Sequence, residues 1–227
     1  MVVLALDTTT SAGSCALAVN GAVMREEGSD AALPPATRLP LDLIVLLEHV
    51  NMKLGDVDAF AVATGPGSFT GLRIGIATMQ GLAFAAGKPL VGVSALDALA
   101  RIASHDATGD RIATWVDAWR GEVYAALYDG ESEVEAPVVA SPHQVLSTLR
   151  GTGTIFIGDG ARTYRDEIQR AMGETGRVAA MPTPLLAGTI ATLAAVRADA
   201  YSPPHAIRPL YVRRTDAELA RDARAAG

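Results

Sequence analysis

The sequence predicts an α/β fold made of two similar halves with a cleft between them. An uninterrupted apolar run over residues 2–6 ends in Asp7 and leads into a hairpin signal, as expected for a covered strand that continues into a β-hairpin. The same order recurs further on, where a second strand pattern ends in Asp117. Between the two, a glycine-rich turn joins a strand pattern to a helical one, which is typical of α/β units.

The N-terminal residues predict a strand, a polar loop and a hairpin. Three threonines follow Asp7, so a carboxylate and several hydroxyl groups lie at the end of the first strand. Residues 14–19 and 22–27 have strand patterns and are joined by Asn20 and Gly21. An Asn-Gly pair between such patterns is a strong signal for a two-residue hairpin turn.

A breaker loop and an amphipathic helix are predicted next. Residues 31–38 contain two prolines and show no regular period. Beyond them, apolar side chains recur at helical spacing, at Leu39, Leu43, Leu46, Leu47 and Val50.

The glycine-rich turn over residues 63–75 places backbone amides near the start of a helix. Pro66 and Gly67 favour a turn, and either Ser68 or Thr70 can cap the helix that follows. Free N–H groups and the positive end of the helix dipole favour an anion such as phosphate. Because such turns also occur without a ligand, the sequence leaves both interpretations open.

The helix after this turn carries two faces. One is an apolar stripe of Leu72, Ile76, Met79 and Ala83, and the other is a row of small side chains at Gly71, Gly75, Thr78 and Ala85. The small face indicates either close packing within the same domain or a helical interface with a partner chain. Residues 89–93 then predict a short buried strand, and Ser94 is expected to cap a helix that runs through Ala103.

The second half repeats the first. A polar stretch at residues 106–110 divides the chain into residues 1–106 and 107–227. The order of the N-terminal segment is repeated here. A strand pattern ends in Asp117 and is followed by a glycine-containing loop, a second strand and an Asp-Gly turn at residue 129. Such a repeat favours a duplicated fold.

The remaining segments complete this prediction. Residues 154–157 predict a buried strand that leads into an acidic glycine turn at Asp159, and ligands of such folds bind at strand carboxyl ends. Residues 185–196 predict an Ala-rich helix. The chain is expected to be irregular from Tyr201 through Pro204 and helical or frayed over residues 216–225.

Composition limits the functional classes. With a net charge of −6 and a pI near 5.2, the chain is too acidic to hold nucleic acid by itself, because that affinity comes mainly from Lys and Arg. We therefore expect any RNA contact to be indirect or local, and the one modest basic cluster comprises Arg208, Arg213 and Arg214. No apolar run approaches the roughly 20 residues that span a membrane, and the N-terminus leads directly into a strand, which predicts a cytoplasmic protein.

Neither disulfides nor metal ligands are predicted. The single cysteine, Cys15, has no companion for a disulfide or a thiolate zinc site and is interpreted as a core residue. The four histidines are far apart, and none has a second ligand at helical spacing: His49, His105, His143 and His205.

Several motifs, in order along essentially the whole chain, resemble the TsaB (YeaZ) family. They lie at residues 4–9, 65–75, 81–83, 92–96, 117–118, 120–124 and 209–213, and the most specific is Gly-Pro-Gly-Ser-Phe-Thr-Gly-Leu-Arg from Gly65. The resemblance implies the actin-like, sugar-kinase and Hsp70-like ATPase fold with two duplicated ribonuclease-H-like halves. It also implies a role in making threonylcarbamoyladenosine in bacterial tRNA.

The resemblance implies where a nucleotide phosphate would bind in this superfamily, at Asp7, Thr8, Thr9, Gly65, Gly67, Ser68, Asp117 and Asp159. TsaB is regarded as the degenerate paralogue of TsaD, the enzyme that transfers the threonylcarbamoyl group. We therefore expect no catalytic residue, no required cofactor and at most weak binding of ATP or ADP. TsaD-like proteins hold a metal with two histidines at i and i+4, whereas this chain has Ala95 and Leu99 near the matching segment.

Partners are implied as well. The family pairs with TsaD, TsaE joins the pair, and TsaC makes the threonylcarbamoyl-adenylate, so that this chain would contact tRNA only indirectly. The expected interface lies on the two N-terminal helices and comprises Leu39, Leu43, Leu46, Leu47, Val50, Leu72, Ile76 and Met79. An exposed apolar stripe also favours a homodimer when the partner is absent.

Two alternatives remain at this point. The chain could be an independent ATPase or small-molecule kinase that uses the same cleft, or a metallopeptidase. One departure from the family is also present, since many relatives have a histidine before the first helix where residues 36–40 are Ala-Thr-Arg-Leu-Pro.

Overall fold

The computed structural model describes residues 1–10, 13–28, 35–107, 109–149, 151–181, 184–197 and 200–212, with the backbone alone for residues 35–40. The strands are β1 Val2–Asp7, β2 Ser14–Val19, β3 Ala22–Gly28, β4 Ala59–Gly65, β5 Leu90–Ser94, β6 Arg111–Asp117, β7 Val123–Asp129, β8 Ser132–Ala140, β9 Thr154–Ile157 and β10 Gly176–Val178. The α-helices are α1 Pro35–His49, α2 Phe69–Ala86, α3 Ala95–Ala103, α4 Pro142–Thr148, α5 Asp159–Thr163, α6 Arg165–Met172 and α7 Ala187–Val196.

Two five-stranded sheets have the same topology. Their strand orders are β3-β2-β1-β4-β5 and β8-β7-β6-β9-β10. In each sheet two pairings are antiparallel, β1 with β2 and β2 with β3 in the first and β6 with β7 and β7 with β8 in the second. The other two pairings of each sheet are parallel. The duplicated α/β fold predicted from the internal repeat is therefore confirmed.

The layers alternate between helices and sheets. Leu4 and Leu6 of β1 face outward and pack with α1 and α2, whereas Val3 and Ala5 face inward to a core shared with α3 and α7. This two-residue alternation is what a strand covered on both faces requires. The helices α4 and α6 contribute to a third core on the outer face of the second sheet.

The end of the described chain returns to the first sheet. Helix α7 packs on β1, β2 and β3, and Leu90 of β5 exchanges two backbone hydrogen bonds with Ser202 at 3.1 and 3.2 Å. The Leu210 amide donates to the Thr64 carbonyl at 2.7 Å. Gln80 of α2 donates to the carbonyls of Pro204 and Ile207 at 2.9 and 3.1 Å. Residues 200–212 therefore form a strap over the edge of the first half.

A polar network ties α3 to the second sheet and to α7. Asp97 of α3 accepts a hydrogen bond from the Tyr128 hydroxyl of β7 at 3.0 Å and two from the Arg197 guanidinium at 3.2 Å. Tyr128 is 1% exposed. Because an unpaired buried hydroxyl is costly, this network stabilises one arrangement of the two halves.

Two predictions need correction. The breaker loop over residues 31–38 does not extend past residue 34, because α1 begins at Pro35, and proline is well tolerated in the first turn of a helix. The irregular segment after Tyr201 contains a bridge at Ser202 and a 3-10 turn at Pro204–Ala206. The tail at residues 216–225 lies outside the described residues. Every helix within the described ranges is too short or too polar to span a bilayer.

Candidate functional site

The two strand-end aspartates occupy equivalent positions in the two sheets. Asp7 ends β1 opposite Ser14, and Asp117 ends β6 opposite Val123. The structure groups the predicted nucleotide residues accordingly. Thr8 and Thr9, directly after Asp7, lie against the glycine turn of the first half, and in the second half the Asp117 amide donates to Asp159.

Asp7 is held inside the protein by the loop that follows it. Its Oδ1 accepts hydrogen bonds from the Thr9 amide at 2.8 Å and the Thr9 hydroxyl at 2.6 Å, and its Oδ2 accepts from the Thr10 hydroxyl at 3.4 Å. The side chain is 1% exposed. The carboxylate is therefore satisfied by its own loop.

The glycine turn packs tightly on that same loop. The Ser68 amide donates to the Thr9 carbonyl at 3.0 Å, and the Ser68 hydroxyl accepts from the Gly71 amide at 3.2 Å. A Cβ at Gly67 would lie 2.5 Å from the Thr9 carbonyl oxygen, and one at Gly71 would overlap the Thr8 carbonyl oxygen. These glycines therefore permit close packing, and oxygens of Thr9 and Ser68 accept from two amides at the helix start where the resemblance implies a phosphate.

This packing gives a testable result. Gly71→Ala is expected to lower the free energy of unfolding by about 1–3 kcal/mol, because the new methyl group must displace the Thr8 backbone. The matched control is Gly81→Ala on the same helix, where a Cβ meets nothing within 4 Å, and the better helix propensity should stabilise by about 0.5–1 kcal/mol. Urea unfolding measures both, and equal effects of the two substitutions would contradict this packing.

In the second half, Asp159 connects α5 to the end of β6. Its Oδ1 accepts hydrogen bonds from the Asp117 amide at 2.9 Å and the Gly160 amide at 2.8 Å, while Asp117 Oδ1 accepts from the Trp119 amide at 2.9 Å. Burial, and to a lesser extent the charge of Asp117, raises the pKa of Asp159. Both carboxylates therefore shape the turns in which they lie.

Sequence reasoning missed two residues of the first sheet that accept hydrogen bonds from the start of α7. The Ser14 hydroxyl accepts from the amides of Leu186 and Ala187 at 3.2 and 3.0 Å, and Glu26 Oε1 accepts from the Gly188 amide at 2.7 Å. Oxygens of the chain itself therefore bind the first amides of α7. Because the partners lie more than 160 positions apart, no local pattern could have revealed these contacts.

Burial raises the pKa of Asp7, and the charge of Glu26 adds to this effect. A carboxyl whose folded-state pKa is raised stabilises the fold below its unfolded-state pKa, and this stability is lost as the pH rises through the folded-state value. Asp7→Asn keeps an oxygen for the Thr9 donors and cannot ionise. We expect the variant to lose less stability than the parent as the pH rises from the ordinary aspartate range.

The measurement is urea unfolding at a series of pH values, with Asp58→Asn, at an exposed carboxyl, as the control. A pH profile of Asp7→Asn parallel to that of the parent would contradict the assignment.

The predicted interface residues are mostly core residues. The structure buries Leu43, Leu46, Leu47, Leu72, Ile76 and Met79 against the outer face of the first sheet. Val50 is partly buried against the same core, and the side chain of Leu39 lies outside the described residues. A buried side chain has no area left for a partner, so the prediction is wrong for those six residues.

A different stripe of the same two helices faces outward. On α1 the exposed fractions are 55% for Leu41, 52% for Ile44 and 39% for Val45, and Phe84 of α2 is 81% exposed. Ala77 and Gly81, also exposed, lie on the same side of α2 as Phe84. Because α1 and α2 contact each other, these residues form one surface, which we call the outer helix face.

Comparison with known proteins decides the family. The family model described as TsaD, tRNA N6-adenosine threonylcarbamoyltransferase, matches residues 37–221. The tRNA threonylcarbamoyladenosine biosynthesis protein TsaB of Haemophilus influenzae is 30% identical over 226 residues, with 94% of each chain covered. That of Escherichia coli is 35% identical over 177 residues, covering 73% of this chain and 74% of its own.

The chain belongs to the TsaB family.

Solved structures agree with this assignment. YeaZ from Pseudomonas aeruginosa has a TM-score of 0.76 at 31% identity, with 93% of this chain and all of its own covered. The activator of 2-hydroxyisocaproyl-CoA dehydratase from Clostridium difficile, with bound ADPNP, has a TM-score of 0.56 at 12% identity and covers 92% of this chain and 99% of its own. The more distant likeness concerns the fold alone. Together with the duplicated sheets, these matches support the actin-like ATPase and sugar-kinase architecture for this TsaB-family chain.

In this TsaB-family chain, apolar residues stand near the segment where the resemblance places the two metal-binding histidines of TsaD-like proteins. Ala95 and Leu99 of α3 are both buried between the two sheets. Within the described ranges, no cluster of three or more His, Cys, Asp or Glu side chains could hold a metal ion. Cys15 is buried, as its interpretation as a core residue predicted, and burial raises the pKa of its thiol to about 12.

Proposed function

We propose that this chain is a non-catalytic accessory subunit that pairs with a TsaD-family transferase. Together with TsaE, the pair would transfer the threonylcarbamoyl group to the adenosine next to the anticodon of tRNA. Membership of the TsaB family supports a role in threonylcarbamoyladenosine biosynthesis. The observation that carries the pairing is the outer helix face, where four large apolar side chains are exposed on two adjacent helices.

The chemistry of this face suits a helical partner. Exposed apolar side chains on both helices provide area to bury, and the small residues Ala77 and Gly81 allow a facing helix to approach α2 closely. A Cβ at Gly81 would meet nothing within 4 Å, so the space beside it is open. A four-helix arrangement would therefore leave both subunit cores unchanged.

The partner is argued from the family match. Because the TsaD family model matches residues 37–221 of this chain, a TsaD-family transferase is expected to present two comparable helices on its own first sheet. Two related surfaces can pair about a pseudo-two-fold axis. The same argument predicts a homodimer when the transferase is absent.

Amides at the starts of α2 and α7 already donate to oxygens of the chain itself, which supports an accessory role. Thr9 and Ser68 provide oxygens to amides at the start of α2, and Ser14 and Glu26 do so at α7. Phosphate binding at a helix start depends on such amides. We therefore propose that any binding of ATP or ADP by this chain is weak.

Mixing the chain with its cognate TsaD-family transferase tests the pairing. Size-exclusion chromatography with light scattering is expected to show a heterodimer that forms at the expense of the homodimer. If the two proteins elute separately at concentrations well above the cellular range, the accessory-subunit proposal fails.

An independent ATPase or small-molecule kinase is the second candidate, because the fold is shared with ATP-dependent proteins and Asp7 and Asp117 end equivalent strands. Its test is ATP turnover by the isolated chain. Turnover that is lost in Asp7→Ala would favour this candidate, whereas turnover indistinguishable from buffer favours the accessory role. For the accessory role we propose the cytoplasm, where tRNA is modified, as the compartment.

A further inference from the structure

Three exposed side chains at the start of α2 and in the strap form a preassembled stack. The rings of Phe69 and Tyr211 have centroids 5.7 Å apart at an interplanar angle of 35°. The guanidinium of Arg73 lies 3.9 Å above the centroid of the Phe69 ring, and its Nε donates to the Tyr211 hydroxyl at 3.1 Å. Phe69 and Tyr211 are each 44% exposed, so much of the stack faces solvent.

Attachment of the strap accounts for only part of this arrangement. The hydrogen bond from Arg73 to the Tyr211 hydroxyl fixes residue 211 on α2, but on Tyr211 it uses only the hydroxyl group, and both aromatic residues stay partly exposed. The strap is also held by backbone and Gln80 hydrogen bonds that do not involve these side chains. The exposed ring surface is therefore available for a ligand with a flat face.

The charge of the stack indicates an anionic group on that ligand. In the part of the chain that the structure describes, Arg73 forms no salt bridge, although the chain carries a net charge of −6. An arginine held over one ring and bonded to another is preorganised, which reduces the entropy lost when it binds an anion. Flat faces next to an arginine are what an unpaired nucleotide requires, with its base on a ring and its phosphate on the guanidinium.

We propose that Phe69, Arg73 and Tyr211 form a stacking platform for an unpaired nucleotide of RNA. This inference rests on the proposed function, which makes tRNA the substrate of the assembly. The α-helical rise of 1.5 Å per residue places Arg73 about 16 Å along α2 from Phe84, so the platform lies at one end of the outer helix face. RNA bound there would lie beside a transferase docked on that face.

A single platform on an acidic chain gives weak binding, so the first measurement uses a sensitive probe. Fluorescence anisotropy of a labelled single-stranded oligoadenylate, titrated with the full chain at low salt, should show saturable binding. AMP offers the same base and phosphate as a free nucleotide, and a perfectly paired RNA duplex offers phosphates without an accessible base. The duplex should compete poorly, and competition by the duplex as strong as that by unlabelled oligoadenylate would overturn the proposal. AMP should compete no better than one nucleotide of the oligoadenylate, compared per nucleotide. AMP that binds more tightly than this would assign the platform to a free nucleotide and overturn the RNA assignment.

Two substitutions at Tyr211 separate the contribution of base stacking from that of strap attachment. Tyr211→Phe keeps the ring and removes the bond to Arg73, whereas Tyr211→Leu removes the ring. Since base stacking on an aromatic side chain contributes about 1–3 kcal/mol, we expect Tyr211→Leu to weaken oligoadenylate binding by about tenfold and Tyr211→Phe by less than about twofold. Equal losses in both variants would show that only the hydroxyl matters and would overturn the proposal.

Trp119→Leu is the control, because Trp119 is 56% exposed and lies outside the platform. It should leave oligoadenylate binding unchanged.

The reconstituted assembly distinguishes failure of this inference from failure of the proposed function. With Tyr211→Leu, the tRNA KM of the transferase should rise while kcat and heterodimer formation stay unchanged. An unchanged KM would overturn the platform but leave the accessory role in place. Loss of heterodimer formation would instead assign the stack to the protein interface, and an assembly that needs no TsaB-family chain would refute the proposed function alone.

Discussion

Ile44→Asp is expected to abolish pairing with the TsaD-family transferase while the isolated chain keeps its stability. Ile44 is 52% exposed in the described chain, so a carboxylate there remains hydrated in the monomer. In the heterodimer it would lie at an apolar helical interface, where an unpaired charge loses its hydration without compensation. We expect the dissociation constant to rise by at least about a hundredfold, equivalent to about 2.7 kcal/mol.

Light scattering of the mixture and urea unfolding of the variant measure these two effects. Val196→Asp is the matched control, because Val196 is 77% exposed at the end of α7 and lies outside the outer helix face. Pairing that survives Ile44→Asp would show that the transferase docks elsewhere. Unfolding of the variant would contradict the surface position of Ile44.

Ile76→Asp is expected to have the opposite effect and to unfold the chain. Ile76 is 4% exposed and packs with Leu4, Leu46 and Met79 between α2 and the first sheet. A carboxylate there must either ionise without a partner or accept a strongly raised pKa, and the apolar packing is lost as well. We expect the free energy of unfolding to fall by at least about 4 kcal/mol, which is comparable to the whole stability of a marginal domain.

The neighbouring residue provides the control. Ala77 is exposed on the same turn of α2, so Ala77→Asp should lower the unfolding free energy by no more than about 1 kcal/mol, mainly because Asp has a weaker helix propensity than Ala. Circular dichroism and urea unfolding distinguish the two variants. A folded, stable Ile76→Asp protein that merely fails to pair would restore the sequence-based interface and refute the burial described above.

Most of the fold could be predicted from the sequence because its signals are local. The Asn20 and Gly21 turn defined the hairpin of β2 and β3, and both residues have the positive φ that such a turn requires. Ser68 and Ser94 cap α2 and α3 as expected. The repeat of a strand ending in aspartate before a hairpin indicated the duplicated sheets.

Other elements could not be predicted from local patterns. β8 contains Pro137 and two glutamates, and none of its residues is buried, so it lacks the alternation of buried and exposed residues that identifies a strand. It forms because the β7 edge provides backbone partners over nearly its whole length. The short helix α5 is likewise maintained by contacts with β6 and β9 rather than by an apolar period of its own.

The interface was misassigned for a physical reason. Periodicity identifies the strongest apolar stripe of a helix, and an amphipathic helix on a sheet buries that stripe in its own core. Leu46 and Met79 therefore stabilise the monomer, whereas Ile44 and Phe84 belong to a weaker second stripe that periodicity does not emphasise. Only the packing on the sheet distinguishes the two.

The glycine-rich turn shows a similar ambiguity. Free amides that could bind phosphate and glycines that permit close packing require the same residues, so the sequence could not separate these interpretations. In the structure Thr9 packs over Ser68 and Gly67, which gives the glycines of this turn a packing role. The contact is made by a loop about 60 positions away in sequence, beyond the reach of motif analysis.

Modification of unmodified tRNA tests the accessory role most directly. The reaction would contain TsaC, a TsaD-family transferase and TsaE with bicarbonate, threonine and ATP, and it would be run with this chain, without it and with this chain alone. Threonylcarbamoyladenosine that forms only when the chain joins the other proteins is the predicted result. Equal product without the chain, or vigorous ATP turnover by the chain alone, would contradict the account and make the residues around Asp7 a candidate active site.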